Sequence, residues 1–208
     1  MNTPFHLILG SSSPRRKMLL EGTGLPFVTA SIDGVNENHL PKGIDPIEIP
    51  QHLAYAKSLA YSKPLKEKEL LITADTLVFS ALPPDKSLPS VILGKPQSQD
   101  EAFQMLRNLS GNWHKVITGV FLRSAEAHKI ACGFSDITKV LFSRLEKEEI
   151  QYYIEHYKPY DKAGAYGVQE WIGYIGIERI EGSFYNVMGF PVQKFWATLK
   201  QLNAVSFL

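Results

Sequence analysis

The residues from Ser11 to Arg16 follow an apolar run directly and precede a helix-like stretch. A strand that turns into a helix here leaves backbone N–H groups available at the helix start, where the dipole also favours an anion. Ser13 suits the N-cap and Pro14 the first helical position. The guanidiniums of Arg15 and Arg16 match the geometry of phosphate. The segment therefore predicts either a phosphate site or a capped helix with two solvated arginines.

Two charged side chains stand where apolar ones are expected. Asp75 interrupts the strand-like run 70–79, where a buried and unpaired carboxylate would be costly. Asp75 either caps a bend or pairs with a lysine, or it lies in a cleft and binds metal or moves a proton. Lys57 shares a helical face with Leu53 and Ala60. Its stem either covers apolar surface while the ammonium reaches water, or the ammonium lies beside a phosphate.

Three further polar residues lie in predicted loops. Lys95 follows a strand and precedes a capped helix, which places its ammonium at the mouth of a loop. Glu37 is interpreted as a solvated loop carboxylate unless a shared site engages it. Gln169 ends the segment 161–169, whose small residues let another group approach the backbone. Its amide offers a donor and an acceptor, so it either recognises the edge of a base or holds a loop.

Capping signals, hydrophobic spacing and β-branched runs indicate the elements that position these residues. Helices are predicted from Pro14 to Gly22, from Pro46 to about Tyr61, after capping boxes at Ser98 and at Ser143, and from Pro191 to about Leu202. Strands are predicted over 6–10, 70–79, 91–94, 115–123, 130–142 and 172–180. A turn at 83–86 predicts a hairpin over 77–94. The fold class is α/β or α+β.

Composition restricts the class of protein. With 208 residues, 44% of them hydrophobic, and a formal net charge of +1, the chain is expected to be soluble and globular, without a global attraction to nucleic acid or a membrane surface. Cys132 is the only cysteine, which excludes an internal disulfide and thiolate zinc clusters and suits the cytoplasm. No targeting segment, spanning segment or domain linker is recognised, so we expect one folding unit.

Seven segments occur in an order that resembles the Maf family of nucleoside triphosphate pyrophosphatases over nearly the whole chain. They are residues 11–16, 74–76, 93–96, 110–111, 118–120, 161–169 and 189–191. The resemblance implies an α/β fold similar to that of the inosine triphosphate pyrophosphatases, with a long, mixed, twisted sheet flanked by helices. It also implies a single domain over 1–208 with two lobes that share the sheet and a central cleft.

The same resemblance implies hydrolysis of a nucleoside triphosphate to the monophosphate and pyrophosphate, with a divalent cation, Mg or Mn. Asp75 becomes the proton acceptor for the attacking water. The residues implied to hold phosphates are Ser11, Ser13, Arg15 and Arg16, and those implied to neutralise developing charge are Lys57 and Lys95. This division of roles is physically reasonable, because phosphoryl transfer depends mainly on positioning and on charge neutralisation.

Substrate choice is implied by three positions, Arg15, Thr76 and Gln169. They match the subgroup that acts on dTTP and UTP, whereas the subgroup acting on 7-methyl-GTP shows Trp, Gln and Glu there. The amide would also accept modified pyrimidines. Family members usually carry an acidic pair after the first helix, and the nearest match here is Glu37, which we favour as a metal ligand together with Asp75. Asp33 is the alternative.

The resemblance also concerns partners. It implies a homodimer, with an aromatic cluster in the interface or in the core, formed by Trp171, Tyr174, Phe184 and Tyr185. Because the family is associated with control of septum formation, a nucleotide-binding regulator without useful turnover is the alternative function. Neither nucleic acid nor membrane is expected as a partner, since the net charge is +1 and no basic stripe with interleaved aromatics is present.

Overall fold

The computed structural model describes residues 2–35, 43–80, 91–125 and 129–207. Its helices are α1 (Pro14–Glu21), α2 (Ile49–Ala60), α3 (Gln99–Leu109), α4 (Lys147–Tyr157), α5 (Trp171–Gly176), α6 (Phe184–Val187) and α7 (Val192–Gln201). Its strands are β1 (His6–Gly10), β2 (Phe27–Ala30), β3 (Glu69–Ser80), β4 (Ile92–Leu93), β5 (Trp113–Ser124), β6 (Ala131–Phe142) and β7 (Ile177–Glu181). Glu37 and the hairpin tip predicted at 83–86 lie outside the described residues.

Within the described residues, seven strands form one mixed sheet in the order β2-β1-β3-β5-β6-β7, and β4 pairs with β3 off this path. β1 runs parallel to both of its neighbours, so that Leu9 lies opposite Thr29 on β2 and opposite Ile72 on β3. β4 is antiparallel to β3 and β7 is antiparallel to β6. The mixed sheet and its helices confirm the α/β class, and the β3–β4 pair confirms the stem of the predicted hairpin.

The chain forms two compact units. Unit 1 comprises Met1–Asp75, Thr118–Asp136 and Gly189–Leu208, and unit 2 comprises Thr76–Ile117 and Ile137–Met188. Each unit has its own apolar core. Large buried side chains of unit 1 are Leu7, Leu9, Leu20, Leu70, Ile72 and Phe195, and those of unit 2 are Leu106, Leu109, Phe142, Tyr153 and Ile172. Among the described residues, no helix has the length and apolar character that crossing a membrane requires.

Two helices begin where their local sequence indicates. The Ser13 hydroxyl caps α1 by accepting the N–H of Arg16 at 3.4 Å, and Pro14 occupies the first turn. The Ser98 hydroxyl caps α3 by accepting the N–H of Glu101 at 3.1 Å. These short contacts confirm both predictions, because capping depends on residues only three positions apart.

Two other boundaries differ from the prediction. α4 begins at Lys147 under a capping box between Glu146 and Glu149, and not at Ser143, whose N–H instead donates to the carbonyl of Gly176 at 2.8 Å. The predicted strand 172–180 is wrong over its first half, where α5 forms and only Ile177–Glu181 is extended. Periodicity does not separate a short apolar helix from a strand, so tertiary contacts decide such segments.

β2 was not predicted from the sequence. Phe27–Ala30 has few buried positions, and its exposed Val28 gives no alternating pattern. It is extended because it pairs in parallel with β1, Leu7 lying opposite Phe27. This strand depends on a partner rather than on its own composition.

Candidate active site

The turn between β1 and α1 in unit 1 is held by its own side chains. The Ser11 hydroxyl accepts the N–H of Ser13 at 3.2 Å and an Nη1–H of Arg16 at 3.4 Å. Ser11, Ser13, Arg15 and Arg16 are all half-buried. The structure therefore brings two serine hydroxyls and a guanidinium together at the start of α1, where the helix dipole favours an anion.

Arg16 also makes a contact that is very distant in sequence. Its Nε donates to the carbonyl oxygen of Gly189 at 2.9 Å, across 173 positions of the chain. The guanidinium is thereby held between the β1–α1 turn and the residues 189–191. Two of the segments that carried the family resemblance are thus joined by one side chain, and a fixed guanidinium is better organised for phosphate than a solvated one.

Lys57 and Asp75 form a buried ion pair. The Lys57 Nζ lies 2.5 Å from Oδ1 of Asp75, and the two side chains are 11% and 6% exposed. Lys57 therefore does not extend its ammonium into water, and Asp75 has the lysine partner that one reading of the sequence expected. Burying a charged carboxylate is unfavourable unless a partner compensates it. The Lys57 ammonium is such a partner for Asp75 and restrains its side chain.

α2 is fastened to the sheet on both sides of Lys57. The Thr73 hydroxyl donates to the carbonyl of Ala54 at 2.7 Å, and Nη2 of Arg123 donates to the carbonyl of Ser58 at 2.5 Å. Where α2 crosses β5, a Cβ on Gly119 would lie 2.2 Å from the backbone nitrogen of Gln51. Glycine at this position lets the helix backbone rest directly on the strand. The predicted segment 118–120 thus has a packing role in placing Lys57.

The β1–α1 turn and the Lys57–Asp75 ion pair lie near the same end of β1 and β3. These strands are parallel, and Leu9 lies opposite Ile72. Ser12 and Asp75 each stand three residues beyond that pair, so both are just past the end of β1. This register brings the candidate phosphate ligands and the candidate base to one end of the parallel strands, which is where α/β sheets bind ligands.

Unit 2 carries the other predicted residues. Thr76 follows Asp75 directly and is half-buried, whereas Lys95 is exposed. The loop of Lys95 is joined to the loop of Gln169, because the N–H of Gly164 donates to the carbonyl of Gly94 at 3.0 Å. The structure therefore places the loops of two predicted site residues side by side within this unit.

Gln169 has an unusual environment. It is half-buried, and its Oε1 is shielded from solvent without a hydrogen-bond partner among the described residues. A buried acceptor left without a donor is unfavourable, so this oxygen is suited to accept a hydrogen bond from a bound molecule. This finding favours the interpretation of Gln169 as a recognition residue over that of a loop-holding amide.

A buried polar network beside Gln169 was not predicted. The Tyr153 hydroxyl donates to Glu170 Oε2, and Lys162 Nζ lies 3.1 Å from Glu170 Oε1 and 2.7 Å from Asp161. Burial raises the pKa of the Tyr153 hydroxyl, and its hydrogen bond to Glu170 adds to that rise. In the sequence, Lys162 stands among small residues and Glu170 adjoins the recognition amide, which is the signal that could have found the network.

His114 and Tyr166 form a second buried pair in unit 2. Nε2 of His114 lies 2.7 Å from the Tyr166 hydroxyl, and burial lowers the pKa of His114 to about 3. The histidine is therefore neutral at physiological pH. Tyr166 packs edge-on against Phe142, with ring centroids 4.9 Å apart. The aromatic residue of the segment 161–169 therefore belongs to the core.

The described residues contain no group of three or more His, Cys, Asp or Glu side chains that could hold a metal ion. Glu37 lies outside the described residues, and Asp33 is exposed after β2. Asp75 nevertheless has the chemistry of a Mg²⁺ or Mn²⁺ ligand, because these hard cations use one or two carboxylates and complete their shell with water and substrate phosphate oxygens. A metal held largely by a triphosphate fits this donor set.

These features define an α/β protein with a β1–α1 turn that carries serine hydroxyls and a fixed guanidinium, and with a buried lysine–carboxylate pair past the end of parallel strands. The chain belongs to the Maf family, whose sequence model, described as Maf-like protein, matches residues 6–202.

Two curated relatives have matching lengths. The chain is 46% identical over 198 residues to a dTTP/UTP pyrophosphatase of Phocaeicola vulgatus, covering 95% of this chain and 96% of that protein. It is 46% identical over 196 residues to a dTTP/UTP pyrophosphatase of Parabacteroides distasonis, covering 94% and 95%. A solved HAM1 protein from Coxiella burnetii is 12% identical, with a TM-score of 0.47 over 95% of this chain and 99% of that one.

Proposed function

We propose that this protein hydrolyses dTTP and UTP to the nucleoside monophosphate and pyrophosphate. The observation that carries the proposal is the buried pair of Lys57 and Asp75, 2.5 Å apart and just past the end of β1, where the serine and arginine turn also lies. The dTTP/UTP pyrophosphatases that share 46% of their residues with this chain support the same reaction.

The triphosphate is held by the β1–α1 turn. Arg16 offers a guanidinium fixed by Ser11 and by the carbonyl of Gly189, and Arg15 lies beside it in the first turn of α1. Ser11 and Ser13 add hydroxyl groups. A phosphate bound there gains charge-assisted hydrogen bonds and the favourable end of the helix dipole.

Asp75 accepts a proton from the water that attacks the phosphate chain. A new P–O bond forms to that water, the bridging bond between the α and β phosphates breaks, and pyrophosphate leaves with the electron pair of that bond. Lys57 orients the Asp75 carboxylate through the 2.5 Å contact and adds a positive charge near the reacting phosphates. Lys95, an exposed lysine, is the second residue that we infer to neutralise developing charge. Positioning and charge neutralisation of this kind account for most catalysis of phosphoryl transfer.

A divalent cation, Mg²⁺ or Mn²⁺, would be held by Asp75 together with Glu37, with Asp33 as the alternative carboxylate. When bound, it would offset negative charge on the phosphates.

Gln169 provides the base specificity. Uracil and thymine share an imide N–H donor between two carbonyl acceptors, whereas cytosine has an acceptor at the same ring position. The buried Oε1 of Gln169, without a donor among the described residues, matches that imide N–H, and the amide nitrogen matches a carbonyl. Arg15 and Thr76 are the other two positions that we infer to select pyrimidine substrates. Modified pyrimidines that keep the imide edge are substrates under the same rule.

We further infer a cytoplasmic homodimer. The aromatic cluster suits an interface better than a core, because Tyr174 is 81%, Tyr185 52% and Phe184 41% exposed. Trp171 is half-buried. The sole cysteine, Cys132, makes no disulfide and suits a reducing compartment. Sedimentation velocity of the full chain should give twice the monomer mass, and Tyr174→Asp should reduce it to the monomer.

A panel of common and methylated nucleoside triphosphates, with pyrophosphate measured as product, tests the function. We expect metal-dependent release of pyrophosphate from dTTP and UTP, and much slower release from CTP and the purine triphosphates. Release of inorganic phosphate, or equal rates on all bases, would refute the proposal. Tight triphosphate binding without any metal-dependent product would instead support the nucleotide-binding regulator.

A further inference from the structure

Gln169 sits in a β-turn whose ends are closed by a backbone hydrogen bond. The N–H of Glu170 donates to the carbonyl of Gly167 at 3.0 Å, so Val168 and Gln169 are the two central residues of the turn. The backbone direction at Gln169 is therefore set by the two ends of the turn. Whatever holds Gly167 and Glu170 therefore also fixes the backbone position from which the Gln169 side chain extends.

One buried hydroxyl holds both ends. The N–H of Gly167 donates to the Tyr153 hydroxyl oxygen at 3.0 Å, and the same hydroxyl donates to Glu170 Oε2 through a very short hydrogen bond. Tyr153 lies on α4 and is fully buried. Because its hydroxyl both accepts and donates, it links the two ends of the turn through a single atom.

Lys162 occupies the other oxygen of Glu170. Its ammonium lies 3.1 Å from Glu170 Oε1 and 2.7 Å from Asp161, and its side chain is only 8% exposed. Both carboxylate oxygens of Glu170 are thus engaged by buried groups. Burying a lysine ammonium is unfavourable unless carboxylates pair with it. Here Glu170 and Asp161 do so, and the ion pairs restrain the Glu170 side chain.

Close packing completes the restraint of the turn. A Cβ on Gly173 would lie 1.9 Å from the carbonyl oxygen of Val168, so the first turn of α5 rests directly against the residue before Gln169. The carbonyl of Glu170 also accepts the N–H of Gly173 at 2.8 Å. The turn is restrained by hydrogen bonds on one side and by backbone packing on the other.

We propose that Tyr153, Glu170 and Lys162 are positioning residues that hold the backbone of Gln169 where its amide can recognise a pyrimidine imide edge. The inference rests on the proposed function, since it names what makes that specificity precise. Holding the backbone of Gln169 in advance lowers the entropy lost when the base binds, because only the side-chain torsions then remain to be fixed. The residues do not touch the base, and they act only through the turn.

Tyr153→Phe is the direct test, because it keeps the ring and removes only the hydroxyl that links Gly167 to Glu170. The readout is the ratio of kcat/KM for UTP to that for CTP, two substrates that differ only at the base edge. We expect this ratio to fall by about tenfold, mostly through a higher KM for UTP, with little change in kcat for CTP. A merely structural role would lower the two rates together and leave the ratio unchanged.

Tyr157→Phe is the matched control. Tyr157 lies on the same helix and stacks on Tyr153 with ring centroids 5.1 Å apart, but it is 37% exposed and outside the network. We expect its UTP to CTP ratio to equal that of the unmodified protein. Glu170→Gln is a second probe that preserves side-chain shape, and it should lower the ratio in the same direction.

The outcomes separate this inference from the proposed function. If the unmodified protein does not prefer UTP to CTP, the proposed specificity fails and the inference fails with it. If the unmodified protein has the preference and both Tyr153→Phe and Glu170→Gln retain it, the positioning role alone is overturned. Should Tyr153→Phe not fold, as judged by circular dichroism, the ratio measured for Glu170→Gln decides.

Discussion

The Lys57 ammonium lies 2.5 Å from Oδ1 of Asp75, and the two side chains are 11% and 6% exposed. The pair joins a helix to a central strand, so it belongs both to the stability of unit 1 and to the proposed chemistry. Thr73, Arg123 and Gly119 place the helix that carries Lys57. Substitutions at this pair and at the residues that place its helix should therefore change the free energy of unfolding and the turnover to different extents.

Asp75→Asn should remove turnover and leave nucleotide affinity largely intact. The amide keeps the size of the carboxylate but cannot accept the proton, so we expect kcat to fall by about 10²- to 10⁴-fold, as for the loss of a general base. Pyrophosphate release and binding of UTP by calorimetry are the measurements. Asp100→Asn, on the exposed first turn of α3, is the control and should leave kcat unchanged. Near-normal turnover of Asp75→Asn would exclude Asp75 as the base.

Lys57→Met should destabilise the protein by about 3 kcal/mol, because it removes the ammonium from a buried carboxylate while keeping the length of the side chain. Urea unfolding followed by tryptophan fluorescence measures the change. In the double variant Lys57→Met with Asp75→Asn, the two losses should be clearly less than additive. Additive losses would show that the two side chains do not interact energetically.

Gly119→Ala should displace α2, since its Cβ would lie 2.2 Å from the backbone nitrogen of Gln51. We expect a loss of about 1–3 kcal/mol in unfolding free energy, together with lower turnover, because Lys57 moves with the helix. Gly94→Ala is the control for stability, since among the described residues, its chain neighbours aside, no atom lies within 4 Å of the Cβ position there. Equal stability of the two variants would contradict the close packing of α2 on β5.

Arg16→Lys should weaken triphosphate binding although it conserves the charge. Lysine cannot donate to the Gly189 carbonyl and to the Ser11 hydroxyl in the planar geometry that the guanidinium provides. We expect the KM for UTP to rise by about tenfold. Lys17→Arg, next to it but exposed and paired with Glu21 at 3.8 Å, should leave KM unchanged. An unchanged KM for Arg16→Lys would mean that only its charge matters.

His114 should make the protein sensitive to acid. Burial lowers its pKa to about 3 in the folded protein, whereas in the unfolded chain the imidazole takes up the proton near its ordinary pKa of 6.5. Between these values the unfolded state binds more protons, so stability falls as pH falls from about 6.5 towards 3, by up to about 1.4 kcal/mol per pH unit. Unfolding free energies at pH 7 and pH 4.5 should differ less in His114→Gln than in the unmodified protein. An identical pH dependence would exclude this contribution.

Local sequence signals determined the elements whose contacts are short in sequence. The caps at Ser13 and Ser98 depend on residues three positions away. The same signals misplaced the start of α4, because Ser143 fits a capping box as well as Glu146 does. They also misassigned Trp171–Gly176, where a short apolar run suits either helix or strand. The resemblance to the Maf family, carried by motifs in order, is confirmed by the family match over 6–202.

The sequence by itself thus determined the class of fold, the family and the residues that could carry the chemistry, because residue types and short spacings are visible in it. Only the tertiary structure decided that Lys57 pairs with Asp75 across 18 positions, and that Arg16 reaches Gly189 across 173. It also decided that Tyr153 holds the turn of Gln169. Hydrogen bonds and buried ion pairs require convergence of distant segments, and no local pattern specifies which segments converge.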